Sequence, residues 1–338
     1  MIKIDGSHGE GGGAVLRIAT ALSAVTSKPV KIVNIRSKRP KPGLMPQHLN
    51  AVKAVADLSG ATVSGLEIGS TELIFDPGTL KGGTYKVDIK TAGSITLILQ
   101  AFLLPAAFAD RPVNITVVGG TDVRWSPSVD YLENITLPIL RLMNYKAKTK
   151  LIQRGHYARG GGIFKVEIEP NPNLIPLNAC ELEFKSINCI SHAVNLPKHV
   201  AERQAMTAEK ILKKAGYSLN IQIEHSNNAL GSGSGILIWT DGKTPVAGSS
   251  IGERGKSAEK VGAEAANEIL HHISRRAALD RYMGDQIIPF IAITGSSTVK
   301  TAELTPHAIT NIHVTQKFID RKINVNGELG EPSIITTK

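Results

Sequence analysis

His307 stands at the start of a helix-like run, Leu304-Thr305-Pro306-His307-Ala308-Ile309-Thr310-Asn311. An imidazole there feels the positive end of the helix dipole, which lowers its pKa and keeps it neutral and nucleophilic. Alone, a terminal histidine is more often structural, and the ten histidines include no HExxH or similar metal spacing. Near the other end of the chain, Gly9-Glu10-Gly11-Gly12-Gly13 follows a strand-like segment and precedes an apolar helix. Backbone N–H groups at such a junction can bind an anion. The run is not a Walker A loop and misses the dinucleotide spacing, so a plain tight turn remains the competing reading. Glu10 beside a phosphate makes sense chiefly where a cation bridges the two charges; otherwise it is a solvated turn charge.

Positive charge is concentrated nearby. Arg17 falls on a helix apolar on nearly every face from Ala14 to Val25, so its guanidinium must be paired or face a cleft. Arg36, Lys38, Arg39 and Lys41 crowd one loop between a strand and a helix, a density that suits phosphate but also a solvated basic loop. Gln47 and His48 open the helix behind that loop. Gln100 is the sole amide of another apolar helix, where it needs a partner, a core one included. Tyr282-Met283-Gly284-Asp285-Gln286 precedes a strand-like apolar run.

The elements that must position these residues repeat along the chain. In the first copy a strand at Ile2 to Ile4 leads into a helix at Gly13 to Thr26 and a strand at Val30 to Ile35. A helix from Pro46 to Leu58, capped by Gly60, and strands at Thr62 to Ile68 and Glu72 to Phe75 follow. The second copy repeats that order: strand Tyr85 to Ile89, helix Gly93 to Ala109, strand Val113 to Val118, helix Pro127 to Met143, strands Lys146 to Ile152 and Phe164 to Ile168. Pro29 and Pro112 lie 83 residues apart, and the helix-opening Pro46 and Pro127 lie 81 apart. Pro306 lies a further 179 on, so the third copy holds about 98 extra residues, most simply an inserted domain.

The expected division is 1–82, 83–170, and a split third copy at 171–184 and 257–338 around an insertion at 185–256. The third copy is expected to comprise a strand near Glu181 to Phe184, a helix from Ser257 to about Arg275, a strand at Pro289 to Thr294, a helix at Pro306 to Ile319 and two closing strands. The insertion carries a helix opened by Pro197 and two strands. Its Gly231-Ser232-Gly233-Ser234-Gly235 lacks the lysine and spacing of a phosphate loop and reads as a flexible turn. Lys198, Lys210, Lys213 and Lys214 there could guide a polyanion, though a solvated helix face is the plainer reading.

Composition narrows the function classes. The 338 residues are 42% apolar and 20% charged, which excludes a disordered chain, and the +10 balance favours polyanionic partners. Aromatics at 4% are too few for extended base-stacking platforms. Cys180 and Cys189 make neither a disulfide framework nor a four-cysteine metal site, in keeping with a reducing cytoplasm. The N-terminus has no secretory apolar region. The longest apolar stretch, Ile95 to Phe108, is too short to span a bilayer, so no membrane association is expected.

Together these blocks resemble one family, the RNA 3′-terminal phosphate cyclases. They are Asp5-Gly6-Ser7-His8-Gly9-Glu10-Gly11-Gly12-Gly13, the Arg36 to Leu49 segment ending Pro46-Gln47-His48-Leu49, Thr91-Ala92-Gly93-Ser94 with Gln100, His199-Val200-Ala201-Glu202-Arg203-Gln204, Asp285-Gln286, and His307 with Thr310-Asn311. They occur in the family's order over essentially the whole chain. The resemblance implies an α/β fold of three α+β modules, each two helices on a four-stranded sheet, with a small thioredoxin-like α/β domain inserted in the third. It further implies ATP-dependent conversion of an RNA 3′-terminal phosphate into a 2′,3′-cyclic phosphodiester through a histidine-linked AMP. On that basis His307 is the nucleophile and Glu10 holds a divalent metal, magnesium or manganese. Arg17, Arg36, Arg39, Gln47 and His48 face phosphate or the RNA end, and Gln100, Pro127, Tyr282, Met283, Gly284, Asp285 and Gln286 line the nucleotide site. Lys38 departs from the glycine that many relatives carry, which affects how Arg39 is presented. Two other classes compete: a non-catalytic RNA-binding branch acting in ribosome assembly, which lacks the nucleophilic histidine, and enolpyruvyl transferases, which share the repeat architecture without these blocks. Physiological RNA and oligomeric state are left open.

Overall fold

The computed structural model describes residues 1–338. Its first copy runs β1 (Ile2–Asp5), α1 (Gly13–Thr26), β2 (Val30–Val33), α2 (Pro46–Ser59), β3 (Thr62–Ser64) and β4 (Leu73–Asp76). β1 and β2 pair in parallel, with Ile2 opposite Val30, as the intervening α1 crossover requires. The short hairpin that follows gives antiparallel β3 and β4, and the sheet order is β1-β2-β4-β3. α2 starts on Pro46, whose missing N–H costs nothing at that position, and ends at Gly60, left-handed at φ 60°.

The second copy repeats the plan: β5 (Gly83–Asp88), α3 (Ile95–Ala106), β6 (Val113–Gly119), α4 (Val129–Tyr131), a π-helical segment (Leu132–Thr136), α5 (Leu137–Leu142), β7 (Lys146–Gln153) and β8 (Gly162–Glu169). Its sheet order, β5-β6-β8-β7, matches the first position for position. α3 begins at Ile95 because the Ser94 hydroxyl accepts the N–H of Leu97 at 3.3 Å. Its apolar composition follows from burial on nearly every face.

The third copy opens with β9 (Asn178–Ala179) and is interrupted by β10 (Ile187–Val194), α6 (His199–Lys214), β11 (Leu219–Ser226), β12 (Gly233–Thr240), β13 (Ala247–Ile251) and α7 (Ala258–Ser274). It resumes with α8 (Arg281–Gln286), α9 (Ile288–Thr294), β14 (Thr298–Thr301), α10 (Pro306–Phe318), β15 (Ile323–Asn326) and β16 (Ser333–Thr337). The sheet order β9-β14-β16-β15 restores the pattern of the other copies. In the insertion, β10 pairs in parallel with β11 and antiparallel with β12, giving the order β11-β10-β12-β13.

Three sequence expectations are corrected here. α7, expected to belong to the third copy, packs on α6 and on β12 and β13, and its Val261, Ala265, Ala266 and Ile269 join the insertion's own core. The insertion therefore extends through α7, past the expected limit at 256. Residues Pro289 to Thr294 are not a strand but α9, continuing α8 with Pro289 in its first turn; a short run buried all round has no periodicity to separate the two states. The entering strand is at Asn178–Ala179, not Glu181 to Phe184, where only Glu181 bridges to Ala277. One apolar core runs through the three copies, with α1 packed on α2, α3 and α10 at its centre. No helix is long and apolar enough to cross a membrane.

Candidate active site

Where α1, α3, α8 and α10 converge, a cavity of about 690 Å³ opens, within the range of small-molecule sites. Arg17 reaches it from α1, Gln100 from α3, Pro127 from the turn before α4, Asp285 from α8 and His307 from α10. Tyr282, Met283 and Gln286 complete the α8 wall. Gly284 does not line it: a Cβ there would lie 2.3 Å from Thr301 Oγ1, so its expected place at the nucleotide wall is corrected to a close packing contact behind α8.

His307 occupies the first turn of α10, after Pro306 and the capping Thr305, whose hydroxyl accepts the Ala308 N–H at 3.0 Å. Its Nε2 is 2.7 Å from Glu10 Oε2. Burial lowers the imidazole's pKa, and Arg17 and Arg39 lower it further, while Glu10 pulls the other way. The ring is therefore neutral at neutral pH. A carboxylate can only accept, so Nε2 donates to Glu10 and the other ring nitrogen keeps its lone pair. Glu10 reaches His307 because Gly9, left-handed at φ +59°, packs directly on α10; a Cβ there would lie 2.2 Å from Thr310 Oγ1.

Arg17 has no carboxylate beside it. Burial brings its pKa down to about 10, so it stays charged at neutral pH and faces the cavity unpaired. His48 lies just behind: a Cβ on Gly13 would be 2.4 Å from His48 Nε2 and 3.0 Å from Arg17 Nη1. Burial, then Arg17 and Arg36, push His48 down to about 3. It is neutral, with Nδ1 accepting the Met45 N–H at 3.4 Å, which leaves Nε2 as a donor. Arg39 Nη2 lies 3.9 Å from Glu10 Oε2, and the Lys38 ammonium donates to the Gly9 carbonyl at 3.2 Å. The basic loop is thus folded over the glycine run.

Arg36 and Gln47 each also make a structural contact. Arg36 Nη1 donates to the carbonyls of Lys41 at 2.7 Å and Gly43 at 2.9 Å, holding the basic loop closed. Gln47 Oε1 accepts the Ser94 N–H at 2.8 Å, joining the first copy to the second at the start of α3.

Asp285 is pushed up to about 8, first by burial and then by Asp280 and Glu10, against the hydroxyl of Thr305, which donates to it. At neutral pH it is largely protonated, so it does not repel an anion in the cavity. Asn311 donates to the Asp285 carbonyl at 2.8 Å, and its own Oδ1 is buried without a partner. Because the native carboxyl keeps its proton above pH 3.8 where the unfolded one has lost it, Asp285 favours folding at low pH, and that contribution is lost as pH rises toward 8. The Tm of Asp285→Asn relative to wild type should therefore climb by several degrees between pH 5 and pH 8 in thermal melts. A flat difference would place the ionisation elsewhere.

Sequence reasoning missed the mouth of the cavity. Arg124 and Trp125 come from the turn before Pro127, and Ser249, Ile251, Glu253 and Lys256 come from the insertion. Arg124 is ion-paired with Glu253 across that mouth. Only the adjacency of Arg124-Trp125 to Pro127 could have pointed there, because the partner residues come from a separate folding unit.

Residues 8–325 match the family model described as RNA 3′-terminal phosphate cyclase. Proteins carrying that name are similar throughout: 51% identical over 335 residues in Methanothermobacter thermautotrophicus, covering 99% of both chains. In Pyrococcus furiosus the figure is 50%, covering 98% of this chain and 97% of the other, and in Methanopyrus kandleri 48%, covering 100% and 99%. The solved enolpyruvyl transferase NikO from Streptomyces tendae is 11% identical at TM-score 0.36, covers 96% of this chain, and is spanned over 46% of its own length. That last likeness bears on neither fold nor function. Matched by the family model over residues 8–325 and about half identical to these relatives over nearly its whole length, the chain belongs to the RNA 3′-terminal phosphate cyclase family.

Proposed function

We propose that this protein converts an RNA 3′-terminal phosphate into a 2′,3′-cyclic phosphodiester with consumption of ATP. One observation carries the reading: the imidazole of His307, 2.7 Å from Glu10, shares the wall of a nucleotide-sized cavity with the unpaired Arg17. The name shared by relatives near 50% identity supports it.

His307 attacks the α-phosphorus of ATP; an N–P bond forms, the bond to the bridging oxygen breaks, and pyrophosphate leaves. Glu10 takes the ring proton. An oxygen of the RNA 3′-phosphate then attacks the same phosphorus and breaks the N–P bond, and the proton returned by Glu10 restores neutral His307. The neighbouring 2′-hydroxyl finally attacks the 3′-phosphorus, loses its proton and expels AMP. Proximity makes that last step effectively unimolecular. Arg17 stabilises the charge that builds on the phosphoryl oxygens, and Arg39, exposed beside Glu10, serves the RNA end. Pro127 and Tyr282 offer apolar surface to the base, with Gln100 as a polar contact. Glu10 fits a magnesium or manganese ion, since an ion held mainly by substrate phosphates needs only one or two protein carboxylates; such an ion supplies charge neutralisation at the triphosphate.

An RNA oligonucleotide with a labelled 3′-phosphate, incubated with ATP and magnesium, should become resistant to phosphatase while AMP and pyrophosphate accumulate one for one. The same oligonucleotide ending in 2′-deoxyribose should stall as the adenylated intermediate. RNA binding without chemistry, or release of AMP from the deoxy substrate with no other change, would count against the reading.

A further inference from the structure

The second copy and the insertion meet at a buried cluster unused by the reaction above. Asp122 follows β6, His156 follows β7, and His192 lies on β10 of the insertion. Their exposures are 4%, 4% and 1%. Ligand atoms of all three lie within 4.8 Å of one another, and His192 Nε2 is 3.8 Å from Asp122 Oδ1.

Both ring nitrogens of His192 and Nε2 of His156 are buried with no hydrogen-bond partner. A core histidine ordinarily finds one, so three partnerless nitrogens in one place call for a ligand. The other carboxylate oxygen of Asp122 is already occupied, accepting from Thr121 Oγ1 at 2.7 Å and Arg154 Nη1 at 3.3 Å. Oδ1 is thereby aimed at the histidines, as outer-shell bonds orient metal ligands.

Charge points the same way. The Arg154 guanidinium faces Asp122, Asp130 and Glu224, one positive charge against three negative ones. A divalent cation balances the excess.

Room for the two imidazoles is made by Gly233 and Gly235. A Cβ on Gly233 would lie 2.1 Å from the His156 ring, and one on Gly235 would lie 2.8 Å from His192 Cε1. What reads in sequence as a flexible turn is the start of β12, kept bare where it crosses the two imidazoles.

We propose that Asp122, His156 and His192 bind one borderline divalent metal ion, zinc, that ties the insertion to the second copy. Two imidazoles and one carboxylate suit zinc; magnesium and calcium prefer all-oxygen ligands, and no thiolate is present to select copper(I). Bonds of about 2.0–2.2 Å place neighbouring ligand atoms roughly 3.3 Å apart, so the His192–Asp122 spacing needs only a small contraction. The site holds Asp122 in place just before Arg124 and Trp125, and so fixes one side of the cavity mouth.

The full-length protein, stripped with a chelator and dialysed against zinc or cobalt(II), should retain one equivalent of either metal by elemental analysis. Cobalt should give the strong visible absorption of a four- or five-coordinate nitrogen-containing site, and zinc should raise the Tm. Uptake should be lost in His156→Ala and His192→Ala and kept in Glu10→Gln. Should the histidine variants fail to fold, Asp122→Asn and the wild-type cobalt spectrum decide instead. No uptake by wild type, a weak six-coordinate cobalt spectrum, or uptake lost in Glu10→Gln and kept in the histidine variants would overturn the proposal.

Discussion

His307→Ala, incubated with α-labelled ATP and a divalent metal, should acquire no covalent label, whereas wild type should carry one that is stable to alkali and labile to acid. Alanine offers no atom to accept the phosphoryl group. Losing a covalent nucleophile costs about four to six orders of magnitude in rate, with whatever remains supplied by binding and charge stabilisation. The imidazole is 47% exposed, so its removal should leave thermal stability close to wild type. Wild-type labelling should rise with pH and level off, with the apparent pKa of that step below the ordinary histidine value. Glu10→Gln removes the negative charge that pulls this pKa upward, so the acid limb should move to lower pH. A labelled His307→Ala protein would end the assignment.

Arg17→Met should separate stability from activity. The guanidinium is partly desolvated and has no carboxylate beside it, a cost to the folded state that methionine does not carry. Its Tm should therefore match or exceed that of wild type. Labelling should fall by roughly 10²–10³, the effect of removing one preorganised charge-stabilising donor. Arg17→Lys should recover only part of that rate, because a point charge does not reproduce the planar fork. A Tm drop together with unchanged labelling would make Arg17 a packing residue.

Much of the fold was legible because the copies repeat themselves. Pro46 and Gly60 bracket α2 as written, and the common spacing of the strand and helix starts reflects sheets of identical order. What failed was local and buried. The run at Pro289 is apolar on all sides in either state, so only its continuity with α8 makes it a helix. α7 carries a clear helical period, but periodicity cannot tell which sheet its apolar face will meet. In the site, Glu10 stood out amid glycines and Arg17 on an apolar helix, while His307 was marked by its place at a helix start and took its role from the family resemblance. Arg36 and Gln47 were assigned to phosphate or the RNA end by the same resemblance, and one group of each, Arg36 Nη1 and Gln47 Oε1, holds a loop and a joint between copies. Residue type gives the chemistry available to a side chain; only three-dimensional neighbours decide whether it has been spent on structure.

The chain has two tryptophans. Trp239 packs against the core, while Trp125 stands 92% exposed at the cavity mouth. Its indole emits from water, and an occupant of the cavity must alter that environment while leaving Trp239 almost untouched. The protein thus holds a built-in optical probe: if the proposed function holds, nucleotide arrival should register in intrinsic fluorescence, with no added dye and before any bond is made.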